Sequence, residues 1–168
     1  MCIRDRISSC RCWYNFIYFG HDPKLVSVLN GGLRKWKQEN KKISKEVIKF
    51  TKTNYEGEEL ISLVKDKNNI DLNISEKEFV VVDARSKERF EGKVPDPRKN
   101  VRSGSIPNSI CLPFVEVINK DFSFKNEQEL KSLFNNTFKN TMDNPVFSCG
   151  SGVTACVLAL AYLSLIHI

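Results

Sequence analysis

Residues 79–82, Phe-Val-Val-Val, form an uninterrupted apolar run, mostly β-branched, that ends in the polar stretch Asp83-Ala84-Arg85-Ser86. A strand with one wet face would alternate apolar and polar residues. A run without alternation belongs inside a parallel sheet, buried on both faces. Parallel strands need long crossovers, usually helical, and the rest of the chain supplies them. ICLPF (110–114) reads as a second short strand. NEQELKSLFNNTF (126–138) reads as a helix with Leu130, Leu133 and Phe134 facing inward. PVFSCGSGVTACVLALAYL (145–163) reads as strand, tight glycine loop and apolar helix. Strands alternating with helices predict an α/β fold, with a mainly parallel central sheet flanked by helices.

The N-terminal part is patterned differently. SSCRCWYNFIYF (8–19) is predicted to be a helix packed on a sheet, and HDPK (21–24) a turn. LVSVLNGG (25–32) is expected to be a short buried strand ending in a glycine turn, and LRKWKQEN (33–40) a helix with Leu33 and Trp36 on one face. Residues 41–53 turn basic and polar and read as an interdomain connection. YEGEELISLVKDK (55–67) places Leu60, Ile61 and Val64 at helical spacing behind acidic residues, where a helix N-terminus favours them. Three segments are therefore expected: a remnant of one domain over 1–40, a linker over 41–53, and a second domain over 54–168.

The formal net charge of the 168 residues is +6. Most of the lysines between Lys37 and Lys77 are interleaved with acids and asparagines, as on a solvated surface. No nucleic-acid-binding signature accompanies them, so no nucleic-acid partner is expected. A basic field still draws small anions. Every apolar run is too short to span a bilayer, and MCIRDRISSCRCW lacks the apolar core of a secretory signal, so a cytoplasmic protein without a membrane partner is expected. The six cysteines (2, 10, 12, 111, 149, 156) show no zinc spacing, so no metal is expected. Most, Cys156 among them, read as small buried apolar residues. Cys149 is the exception.

A strand delivers Cys149 to the C-terminal edge of the sheet. Gly150 and Gly152 then let the backbone of Gly150-Ser151-Gly152-Val153-Thr154 curl, turning N–H groups of residues 150–154 toward one point. The helix that follows adds its positive N-terminal end. A sulfur at that focus has its thiolate favoured, and the same donors suit a bound anion or the outer sulfur of a persulfide. Such turns also cradle phosphates, with a cysteine that need not react; spacing alone leaves both readings open. A cysteine phosphatase needs an arginine six residues after its nucleophile, and position 155 is Ala155.

SCGSGVTAC resembles the active-site loop of 3-mercaptopyruvate sulfurtransferases, within the rhodanese family. VVVDARSKERFEGKVPDPRKNVRSGSIPNSICLPF resembles the stretch before that loop, and SSCRCWYNFIYFGHDPKLVSVLNGGLRKW the end of the family's first, non-catalytic domain. The resemblance implies a catalytic rhodanese-like domain preceded by the tail of a second one, with no cofactor. It implies that Cys149 takes sulfur from 3-mercaptopyruvate as a persulfide, releasing pyruvate, and hands it to cyanide or to a thiol such as thioredoxin or glutathione. Gly150 and Ser151 stand where thiosulfate-using relatives carry cations, which favours 3-mercaptopyruvate over thiosulfate. Arg89 and Arg98 match substrate-binding arginines, suited to a carboxylate through paired charge-assisted bonds. Arg85 and Arg102 are weaker candidates. Ser151 matches a serine of a proton relay whose other members are not assigned here. Asp83 is expected to accept from loop N–H groups, and Ser105 replaces a histidine of the family's G-H-I-P pattern.

The chain departs from the family at both ends. Residues 1–6 and 163–168 match nothing in it and are expected to be foreign sequence flanking a truncated protein. A thiosulfate sulfurtransferase, a non-enzymatic rhodanese module and an inactive fragment are the rival readings.

Overall fold

The computed structural model describes residues 6–138 and 144–166. Residues 1–5, 167 and 168, with most of the N-terminal foreign-sequence reading as well as Cys2 and His167, lie outside them. Six α-helices and three strands are described, in the order α1 (Arg6–Tyr18), α2 (Gly32–Gln38), α3 (Lys67–Glu76), β1 (Val81–Asp83), α4 (Lys87–Phe90), β2 (Ile110–Cys111), α5 (Glu127–Phe138), β3 (Val146–Ser148) and α6 (Val153–Ile166).

The sheet is parallel, in the order β2-β1-β3. The unbroken Val-Val run thus lies in the centre, and all of β1 is buried. Register places Asp83 beside both Cys111 and Ser148. Three strands consequently end together, and the loops leaving them share the edge where α/β proteins gather their sites.

Helix α6 is apolar nearly all round, which is tolerable only in a helix covered on several sides. It packs against α1, α5 and β3, and Val157, Leu158 and Ala161 are buried. Helix α5 supplies Leu130, Phe134 and Phe138, four residues apart and therefore on one face. Burying each side chain contributes roughly 1.5–3 kcal/mol. The rings of Phe134, Phe138, Phe147 and Tyr162 form one cluster, with Phe134 edge-on to Tyr162 at 5.3 Å between centroids. A reciprocal cap starts α5: Asn126 accepts from the Glu129 N–H at 2.9 Å, and Glu129 accepts from the Asn126 N–H at 3.0 Å.

Three expectations need correction. Helix α1 packs on α6 rather than on the sheet, with Cys10 fully buried. Residues 26–29 form no strand: among the described residues no strand pairs with them, and the Val26 carbonyl accepts from the Trp13 indole instead. The helix expected over 55–67 does not form. The N–H groups of Glu58 and Leu60 donate to the Phe19 and Tyr18 carbonyls at the end of α1, leaving one 3-10 turn at Ile61–Leu63. The helix begins later, at Lys67, where Asp66 and Asn69 cap each other reciprocally.

Candidate functional site: a cysteine loop beside paired arginines

Strand β3 ends at Ser148, and Cys149 opens the turn into α6. The Gly152 N–H lies 3.1 Å from the Cys149 sulfur. Burial pushes the thiol pKa up. The Thr154 hydroxyl and the N–H groups of Ala155, Ser151 and Thr154 outweigh it, so the thiol sits below its ordinary value. Relative to the expectation for residues 150–154, the donors extend one residue into the helix, to Ala155.

The two glycines do different work. Gly152 has φ +78°, the left-handed conformation that side chains rarely adopt. Gly150 does not; its value is room. A Cβ there would lie 3.3 Å from an Arg98 nitrogen and 3.5 Å from one of Arg89.

Arg89 leaves short helix α4, and Arg98 comes from the proline-rich loop after it; both reach the Cys149 loop. Arg98 donates through Nη1 to the Gly150 carbonyl. Between the two sits Asp96, whose side chain is 1% exposed. It accepts from Arg89 Nη2 at 2.6 Å and from Arg98 Nε at 2.8 Å. Hydrogen bonds from the Arg98 side chain and backbone, with a further one from Arg89, hold its carboxyl well below the usual carboxylate range against the opposing effect of desolvation. Arg89 Nε is buried with no hydrogen-bond partner among the described residues, a cost tolerated to keep the guanidinium in place.

Asp83 does accept a loop N–H, that of Arg85 at 2.9 Å, and pairs in addition with its guanidinium at 2.6 Å. Arg85 spends a second donor on the Gly104 carbonyl at 2.7 Å. It is a strut of the strand end, away from the cysteine's donor ring. Arg102 is exposed. Ser151 is exposed at the rim, and its carbonyl accepts from Arg11 of α1 at 2.8 Å. Cys156 is 9% exposed, and burial first, then the neighbouring Cys149, pushes its pKa up to about 11. Among the described residues, no group of three or more His, Cys, Asp and Glu side chains gathers as a metal site would.

Sequence reasoning missed Asp96 and Arg11. Asp96, between Pro95 and Pro97, was legible as a rigid position but not as a partner. Arg11 has no local signal, because its contact lies 140 residues away.

The crystal structure of SseA from Escherichia coli, described as a 3-mercaptopyruvate sulfotransferase of the rhodanese fold, superposes with a TM-score of 0.80. It is 26% identical, over 96% of this chain and 60% of that one. This chain has the rhodanese fold. In sequence, the rhodanese-fold chain is 36% identical to mouse 3-mercaptopyruvate sulfurtransferase over 153 residues, 91% of this chain and 51% of the relative. Mouse thiosulfate sulfurtransferase is 34% identical over 152 residues, 90% of this chain and 50% of the relative. The chain thus spans about half the length of the curated relatives it matches. No protein-family model matches it. Among the described residues, no helix is long and apolar enough to cross a membrane.

Proposed function

We propose that the protein is a sulfurtransferase that moves sulfur from 3-mercaptopyruvate through a persulfide on Cys149. The observation that carries this reading is one sulfur held by five donor groups of its own turn, directly beside two guanidiniums that converge on Gly150. The donor carboxylate binds at Arg89 and Arg98. The Cys149 thiolate attacks the donor's sulfur, forming an S–S bond while the carbon–sulfur bond breaks. The electron pair goes to the departing carbon as the enolate of pyruvate. The proton carried by the donor's thiol moves to that carbon by way of Ser151, giving pyruvate. Donors around the sulfur stabilise the outer sulfur of the persulfide as they do the thiolate. An acceptor thiolate, such as that of glutathione or thioredoxin, or cyanide then takes the outer sulfur and returns Cys149 as thiolate. No step calls for a cofactor, and the reducing cytoplasm supplies the acceptors.

Mass spectrometry after exposure to 3-mercaptopyruvate tests this. The expected result is one added sulfur on Cys149, released by a thiol reductant and absent from Cys149→Ser. A cooperatively folded protein that gains no sulfur refutes the reading. Thiosulfate is the second donor to compare, because relatives named for either donor match to nearly the same identity. A higher kcat/KM with thiosulfate, with sulfite released, would assign the site to that donor instead.

A further inference from the structure

Two guanidiniums side by side make a doubly positive pocket, the natural partner of a dianion such as thiosulfate. Here a carboxylate is built in between them. We propose that Asp96 is a positioning residue that lowers the net charge of the Arg89–Arg98 pair to a single positive unit, tuning it to a monoanionic carboxylate over a dianionic donor. The inference rests on the assignment of Arg89 and Arg98 as donor ligands and adds to it the residue that selects between donor classes.

Five observations carry it. The Asp96 side chain is buried, and both its oxygens are engaged: Oδ1 by the Arg98 N–H at 3.0 Å and Nε at 2.8 Å, Oδ2 by Arg89 Nη2 at 2.6 Å and Arg98 Nη2 at 3.2 Å. It stands between Pro95 and Pro97, and a residue preceding proline is barred from the helical region, so its backbone has little freedom to swing away. The arginines keep open surface for a ligand, Arg89 being 27% and Arg98 47% exposed, and both end over Gly150 beside the cysteine. Of the other guanidiniums at this edge, Arg85 is matched by Asp83 and adds no net charge, and Arg11 is engaged on the Ser151 carbonyl. Hydrogen bonds from Arg98 and then Arg89 keep Asp96 ionised across the working pH range, so the offset is permanent. Without it the like charges of Arg89 and Arg98 would repel, so one group sets both their spacing and their sum.

The test titrates the folded chain at low ionic strength with pyruvate and with sulfate, unreactive stand-ins for the two donor classes. Asp96→Asn keeps the shape and removes the charge; Asp96→Glu keeps the charge. The sulfate-to-pyruvate affinity ratio is expected to rise about tenfold in Asp96→Asn and to stay near the wild-type value in Asp96→Glu. An unchanged ratio in an Asp96→Asn protein with a wild-type melting temperature overturns the proposal. Equal loss of both anions also overturns it, since that marks a purely structural role, and so does a folded wild type that binds neither. Should Asp96→Asn not fold, the wild type alone still decides. Its sulfate affinity should fall with ionic strength as for one net positive charge, and the steeper fall for two refutes the proposal. Sulfur loading is scored separately. A chain that shows the ratio shift without accepting sulfur keeps the charge assignment and refutes the sulfurtransferase reading.

Discussion

Cys149 lies between two opposed effects, burial that penalises its thiolate and hydrogen bonds that favour it, and the hydrogen bonds prevail. Thr154 is the one side chain among the donors named for it. A hydrogen bond to a charged group is worth roughly 1.5–3 kcal/mol, so Thr154→Val should slow alkylation of Cys149 by iodoacetamide at neutral pH about tenfold. Backbone donors remain, so the variant stays more reactive than a free buried thiol. An alkylation rate equal to wild type would show that the hydroxyl does not hold the thiolate. Cys156 is the contrasting case: a thiol seven residues along, buried and held protonated, its pKa raised to about 11. In the unfolded chain it ionises near the ordinary thiol value of 9.0. A group with a raised folded pKa contributes stability that is whole below the unfolded value and is lost as pH climbs to the folded one. Melting temperature should accordingly fall between pH 9 and 11, and Cys156→Ala should flatten that fall. An identical pH slope in the variant would assign the alkaline loss to other groups.

Helices and strands were legible where local pattern and tertiary demand agree. The Val-Val run at 80–82 marks the central strand, with β2 and β3 paired on either side of it. Leu130, Phe134 and Phe138 mark the face of α5, and the all-apolar stretch after Val153 is the helix with the most neighbours. Pattern failed where two elements compete for the same backbone groups. Leu60, Ile61 and Val64 carry helical spacing, yet their segment serves the end of α1, and spacing carries no record of that. The Asn-rich stretch 67–76 is weak in helix propensity, although Asp66 and Asn69 signal its start. The site divides in the same way. Cys149 and its turn follow from strand, glycines and helix read in order. Asp96 and Arg11 act by pairing with groups that no local window contains.

The molecule as a whole is joined by α1 lying on α6, elements from opposite ends of the chain. The segment between them bears Lys41, Lys42, Lys45, Lys49 and Lys52, all exposed and outside regular structure. Brief trypsin treatment should therefore cut first within 41–52, and the two fragments should elute together in gel filtration until denaturant is added. Fragments that separate in native buffer would show that the packing of α1 on α6 does not survive in solution. The contact of Arg11 with Ser151 has its own consequence for the order of events during synthesis. Contacts of such long sequence separation form slowly, and this one cannot form before Ser151 has left the ribosome. Until then the cysteine turn lacks its outer brace, and its geometry is complete only once α1 and α6 have met.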